Sequence, residues 1–304
     1  MDVNTFQERT VHFQEELISF AWGAEEVPKV NLLHYTGVEG LCGILESRTL
    51  WAGHLGFMND RTELDYAYKL MKPIYDERIE KHGGPCQKLL KPFSPEKFQV
   101  DKEFDVYALC LTEAKDDLAA WMTYGRAGRG YALEFDLSRR GVGDTMKVVY
   151  DEDEQRQLLK NILDKACQFI DGISKEKVKG GSEELQSRLT RNVVIAVHKA
   201  LATCAPRFKH HSFRQEHEWR LLAVRQKGTE KEKPERFRTS GTIAAPFFEF
   251  SFEDLGVQQG SPNAIWLGPN VDDFGVRSVE LLCSRFGHKE VDVKRSDIPL
   301  RTVK

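Results

Sequence analysis

The chain has 304 residues, enough for one large domain or two ordinary ones. Hydrophobic residues make up 40% and aromatics 10%, which suffices for a sizeable core and excludes a disordered or fibrous chain. With 44 Lys and Arg against 47 Asp and Glu, the formal charge is -3, so no global basic field gathers nucleic acid.

No apolar run reaches the roughly 18 residues of a membrane span, and the opening MDVNTFQERTVHFQEEL is too acidic for a signal peptide. The six cysteines (Cys42, Cys86, Cys110, Cys167, Cys204 and Cys283) are scattered, with no C-x-x-C pair. That spacing suits neither structural zinc nor a disulfide scaffold, and predicts reduced, buried thiols in a cytoplasmic protein.

In chain order, Phe6, Phe13, Leu17 and Phe20 predict a helix over 5–21. A strand is expected at Lys29–Tyr35, then a helix Val38–Ser47 opened by a Thr36/Glu39 capping box. Leu50–Ala52 is extended, and Asp60 with Glu63 opens a helix to about Tyr75. The glycines and prolines of 82–104 predict a surface excursion. Asp105–Leu111 is a strand, Asp117–Tyr124 a short helix, and Gly130–Phe135 and Met146–Tyr150 are strands. Helices follow at 153–171 and 183–203. Glu218–Val224 is a strand, KGTEKEKPERFRTSG a charged loop or hairpin turn, and Ile243–Phe250 and Ala264–Leu267 further strands. A helix Asp272–Phe286 and a strand Val291–Lys294 complete the pattern. Short strands with segregated helices predict one α+β domain over 1–304, with 153–203 as a helical insertion.

His34, Tyr35 and Thr36 end a strand ahead of a helix N-terminus, where polar side chains and free N–H groups meet a ligand; Thr36 also serves as a plain cap. Asn59 beside Asp60 has the same two readings. Trp121 and Tyr124, on the helix of DLAAWMTYG, can stack on a flat ring or fill the core. His210, His211 and His217 lack any metal-ligand spacing, so no bound metal is expected. With period two from Glu216, the carboxylates of Glu216 and Glu218 share a strand face with Arg220. Glu218 is then either the ion-pair partner of Arg220 or a carboxylate that stabilises a sugar cation. GRAGRG (125–130) precedes a strand, so it is not a phosphate loop.

The set LLHYTGVEGLCGILESRTLWA (32–52), FMNDRTEL (57–64), ALCLTEAKDDLAAWMTYG (108–125), RGYALEFD (129–136), VVYD (148–151), FRQEHEWRLL (213–222) and WLGP (266–269) resembles the bacterial family of domain of unknown function 2971. Its opening strand and helix, and the later Glu216-His217-Glu218, also resemble ADP-ribosyltransferases, with Leu111-Thr112 or Tyr131 in place of their middle motif. That second resemblance implies a split, mixed or antiparallel transferase-type sheet. It also implies NAD-dependent ADP-ribosyl transfer to a macromolecular acceptor, in a toxin or phage-defence role. Glu218 would stabilise the sugar cation and Glu216 activate the acceptor. NAD, as substrate, would be held by His34, Tyr35, Thr36, Asn59, Trp121, Tyr124 and Arg220, with His34 and Glu218 lining one cleft. The loop Arg207–Gln215, with cations and aromatics interleaved, would receive a nucleic acid or protein acceptor. Two alternatives stay open: a non-catalytic ligand-sensing or interaction module, and a hydrolase or nuclease using Asp60, Glu63 and the histidines.

Overall fold

A computed structural model of the chain describes residues 3–23, 27–58, 63–91, 104–138, 145–175, 183–226, 236–257 and 260–300. They divide into two compact units. One comprises Met1–Glu25, Asn59–Asp105 and Met146–Phe213; the other comprises Glu26–Met58, Val106–Thr145 and Arg214–Lys304. The fold is α+β, with helices and a mixed, largely antiparallel sheet.

The first unit is helical: Val3–Trp22, Glu63–His82, Gly84–Leu90, Glu152–Ser174 and Glu183–Cys204. Phe6, Phe13, Leu17 and Ala21 recur at helical spacing and are buried, and Phe13 stacks on Phe169 with ring centroids 4.0 Å apart. Leu159, Ile162, Leu163, Ala166 and Ile170 present the matching stripe, each Leu or Ile side chain contributing about 1.5–3 kcal/mol by burial. Asp151 caps that helix, its carboxylate accepting the Glu154 N–H at 2.9 Å. The stretch expected as an insertion thus supplies two helices of this unit.

Three expectations fail in this unit. The helix from Glu63 does not stop near Tyr75; it runs through Pro73 to His82, because Ile74, Tyr75 and Ile79 continue the buried stripe. The surface excursion begins instead as the helix Gly84–Leu90, with Pro85 in its first turn, where a missing N–H costs little. Cys86 and Leu90 are buried there, and the Tyr75 hydroxyl donates to the Leu90 carbonyl at 2.7 Å. The expectation of six reduced thiols is also corrected, since Cys86 and Cys167 form a disulfide. They are 81 residues apart in sequence, but the two helices bring their Cα atoms to 5.1 Å, which sequence spacing could not reveal.

Strands are β1 (Leu32–Thr36), β2 (Thr49–His54), β3 (Phe104–Thr112), β4 (Tyr131–Phe135), β5 (Met146–Lys147), β6 (Glu218–Gln226), β7 (Arg236–Ser240), β8 (Ile243–Ser251), β9 (Ala264–Leu267) and β10 (Asp292–Arg295). In the second unit the order is β10-β9-β4-β1-β3-β2-β8-β7, with β6 also on β3. β3 is the hub: it pairs with β1 at Leu33↔Thr112 and with β2 at Gly53↔Ala108 and His54↔Tyr107. β10 and β9 run parallel, whereas β4 pairs antiparallel with both β1 and β9. The charged tract after β6 yields β7, which forms a hairpin with β8 at Ser240↔Ile243; 227–235 lies outside the described residues.

Alternation along β1 divides the core of this unit. Leu32 packs with Leu41 and Leu45 of the helix Val38–Ser47 and Val279 of the helix Gly275–Phe286, in a cluster that also holds Trp219 and Leu221. Leu33 and Tyr35 join Trp121 and Ala132 in another cluster. The predicted capping box is absent: Gly37 is the N-cap, without a side-chain cap bond, and Thr36 stays in β1 opposite Tyr131. GRAGRG is a packing turn. A Cβ on Gly130 would stand 2.3 Å from the Thr36 carbonyl oxygen, so only glycine lets β4 start that close to β1.

Candidate functional site

β6 enters the sheet at Glu218. Its residues Glu218 and Arg220 are 5% and 1% exposed, and the guanidinium grips the carboxylate at two points, Nε to Oε1 at 2.8 Å and Nη2 to Oε2 at 3.0 Å. The structural alternative for Arg220 is therefore realised, and the fork fixes the carboxylate's orientation. Glu216 does not share that strand face. It closes the 3-10 turn His211–Glu216, and His217 takes a left-handed conformation with φ 42°, so period two starts only at Glu218.

Glu216 is held elsewhere. Its Oε1 accepts the Tyr124 hydroxyl at 2.6 Å, and its backbone carbonyl accepts the Thr112 hydroxyl. The Glu113 N–H donates to the His217 carbonyl at 3.1 Å, and the Trp219 indole N–H donates to Glu113 Oε1 at 2.8 Å. The C-terminal end of β3 thus anchors the segment that carries both carboxylates.

The same end of β3 gathers β1. The Tyr35 hydroxyl donates to the Ala114 carbonyl at 2.8 Å and accepts the Asp117 N–H at 3.4 Å. Tyr35 meets Trp121 edge-on, with centroids 4.8 Å apart. Burial pushes the Tyr35 phenol up to about 12. Trp121 is fully buried, its indole N–H donating to Asp116 Oδ1 at 2.8 Å. Tyr35 and Trp121 are therefore core rings whose faces are taken. Tyr124, 40% exposed, is the one aromatic of the expected set that offers a face to a ligand.

His34 is placed differently. Its Nδ1 lies 3.2 Å from the Cys110 carbonyl, and burial, reinforced by the charge of Arg238, lowers its pKa. Alternation puts His34 on the Leu32 side of β1, and puts Glu218 and Arg220 on the side of β6 away from Trp219 and Leu221. Leu32, Trp219 and Leu221 share one cluster, whereas Glu218 and Arg220 alternate with Trp219 and Leu221 along β6.

Asn59 and Asp60 lie outside the described residues. The His210 and His211 rings lie 4.1 Å apart, tilted by 37°, and His210 meets Tyr66 edge-on at 5.8 Å. In the expected acceptor loop, Arg207 is 3% exposed and donates to the Ala21 and Lys147 carbonyls, and Lys209 is 7% exposed with its ammonium 5.1 Å from the Phe213 ring centroid. Those two cations serve packing, which leaves Arg214 as the exposed cation of the loop.

One cluster escaped the sequence reading. Glu134 of β4, 5% exposed, accepts the Asn31 amide at 2.9 Å and the Trp266 indole N–H at 2.8 Å, with Lys115 Nζ 3.3 Å away. Burial pushes its pKa up, but these hydrogen bonds and the Lys115 charge outweigh that and hold it below the usual range. The signal was a carboxylate inside the apolar run of RGYALEFD.

No helix of the described residues is long and apolar enough to cross a membrane. No curated protein and no solved structure matches the chain. Over residues 120–221, from the short helix beside Trp121 into β6, the chain matches the family model described as Protein of unknown function (DUF2971), the family its motifs resemble.

Proposed function

We propose that the chain transfers ADP-ribose from NAD to a macromolecular acceptor, at a site built from Glu216, Tyr124 and Glu218. One observation carries the reading: the Tyr124 hydroxyl is 2.6 Å from Glu216 Oε1 at a half-exposed edge, two residues from the mouth of β6. Tyr124 offers its ring face to nicotinamide. Glu218, fixed by Arg220, is the preorganised carboxylate that strengthens its interaction as positive charge builds on the ribose. The bond from the ribose carbon to nicotinamide nitrogen breaks, and neutral nicotinamide leaves with the electron pair. The acceptor's nucleophile bonds to that carbon, and its proton goes to Glu216. Arg220 is a positioning residue, and Tyr35 and Trp121 brace the corner from within the core. His34 is given no role in this reading, since alternation sets it with Leu32 while Glu218 alternates with Trp219 and Leu221.

A second reading, a non-catalytic ligand-binding module, is favoured by the closed Glu218–Arg220 fork, which already occupies both carboxylate oxygens. Incubation with labelled NAD and cell extract separates the two. Transfer predicts acceptor labelling that falls by about a hundred- to a thousand-fold in Glu216→Gln or Tyr124→Phe, with folding retained. The ligand module predicts that NAD raises the melting temperature without labelling. Neither labelling nor a shift would overturn both readings.

A further inference from the structure

In the first unit, the helix Glu63–His82 ends on His82, and the helix Gly84–Leu90 places Cys86 one turn further on. Cys167 and Asp171 lie one turn apart on the helix Glu152–Ser174. The ligand atoms of His82, Cys86 and Cys167 all lie within 4.8 Å of one another. His82 Nε2 is 2.8 Å from Asp171 Oδ2, and the other oxygen, Oδ1, is a buried atom without a hydrogen-bond partner among the described residues. Both cysteines are fully buried, whereas the His82 and Asp171 side chains are 29% and 30% exposed.

We propose that, once the Cys86–Cys167 disulfide is reduced, His82, Cys86 and Cys167 bind one thiophilic divalent cation of the Zn2+ type. The donors are one imidazole nitrogen and two thiolates, the set that borderline-soft cations select over oxygen-preferring Mg2+ or Ca2+. With Nε2 turned to Asp171, Nδ1 is the ring nitrogen left for the cation. Asp171 then fixes the ring and its tautomer, as carboxylates behind metal-binding histidines do. Its unpartnered oxygen is the feature that a simple surface ion pair does not explain. Three protein donors leave a fourth position to water on the exposed side of His82. The disulfide and the metal site are mutually exclusive states of the same two sulfurs. The site is separate from Glu216 and Tyr124 and does not depend on the proposed transfer reaction.

The whole chain is reduced anaerobically with a water-soluble trialkylphosphine. The phosphine gives two electrons to the S–S bond and takes oxygen from water as its oxide, and the two protons end on the sulfurs. Zinc then displaces those protons. Titration with Zn2+ against a chromogenic chelator, checked by native mass spectrometry, should show one equivalent bound by reduced protein and none by oxidised protein. Affinity should fall about 10–100-fold in Asp171→Asn and further in His82→Ala. Equal zinc uptake by the oxidised and reduced chains, or by the reduced chain and a Cys86→Ala/Cys167→Ala variant, overturns the site. Should that variant unfold, Co2+ added to reduced wild type decides the matter. A thiolate-to-cobalt charge-transfer band supports the site, and its absence refutes it.

Discussion

Arg220 closes on Glu218 through two parallel contacts, at 2.8 and 3.0 Å, in a place where both side chains are almost wholly removed from water. Breaking such a pair from one side costs more than the pair itself contributes, because the surviving charge stays buried. Glu218→Gln keeps the shape and removes the charge, so a loss of about 3–5 kcal/mol is expected in urea unfolding. Removing both charges together, with Glu218→Leu and Arg220→Met, should recover most of that loss. A Glu218→Gln protein as stable as wild type would show that the fork does not hold β6 in place.

Two histidines should make the fold sensitive to mild acid. Burial lowers the pKa of His34, and likewise that of His288, whose Nε2 lies 2.7 Å from the Leu45 carbonyl and whose Nδ1 lies 3.1 Å from the Ser261 hydroxyl. Donation to Leu45 and acceptance from Ser261 describe a neutral ring. For a group depressed in the folded state, the unfolded chain binds the proton more readily. Stability is therefore fully present above the unfolded pKa of about 6.5 and is lost as the pH falls towards the folded values. Urea midpoints between pH 8 and pH 5 should drop, and His34→Gln should flatten the slope. A midpoint independent of pH over that range would contradict the assignment.

These two features show what sequence could and could not reveal. Period-two alternation located β6 and the Glu218/Arg220 face, because both depend on neighbours close in sequence. It failed at Glu216, where one left-handed residue, His217, resets the parity. The capping box failed because Thr36 is retained in β1 by pairing with Tyr131, a contact 95 residues away (131 against 36) that no local motif encodes. Histidine 34 was legible as a polar strand-end residue, but its face depends on which cluster Leu32 and Trp219 share, which is a tertiary fact. The Cys86–Cys167 pairing and the Glu134 network were hidden for the same reason.

Gly23 tests a backbone requirement in the first unit. It sits at φ 73° directly after the first helix, and a Cβ there would stand 2.6 Å from the Arg207 guanidinium. That guanidinium is 3% exposed and donates to the Ala21 carbonyl at 3.2 Å. Gly23→Ala therefore carries a left-handed penalty and displaces a buried cation, with an expected cost on the order of 1–3 kcal/mol. The readout is the thermal midpoint, and an unchanged midpoint would mean that this turn relaxes freely.

The last prediction separates the two aromatic residues of the short helix and its end. Trp121 is fully buried, bonded to Asp116 and set edge-on to Tyr35, so it supports the corner from inside. Trp121→Phe keeps a ring but removes the indole N–H from Asp116, costing about 1 kcal/mol, whereas Trp121→Ala empties the site and costs about 3–5 kcal/mol. Tyr124 is 40% exposed and its hydroxyl reaches Glu216 at 2.6 Å. Tyr124→Phe should cost less than about 1 kcal/mol, since water can replace that bond at an exposed edge. If the proposed transfer holds, the order of effect on labelled-NAD incorporation reverses the order of effect on stability. Tyr124→Phe then loses labelling at a nearly unchanged melting temperature, and Trp121→Phe keeps labelling per folded molecule at a lower one. Equal loss of labelling in both variants, tracking only the folded fraction, would assign the Tyr124–Glu216 contact to structure and remove it from the site.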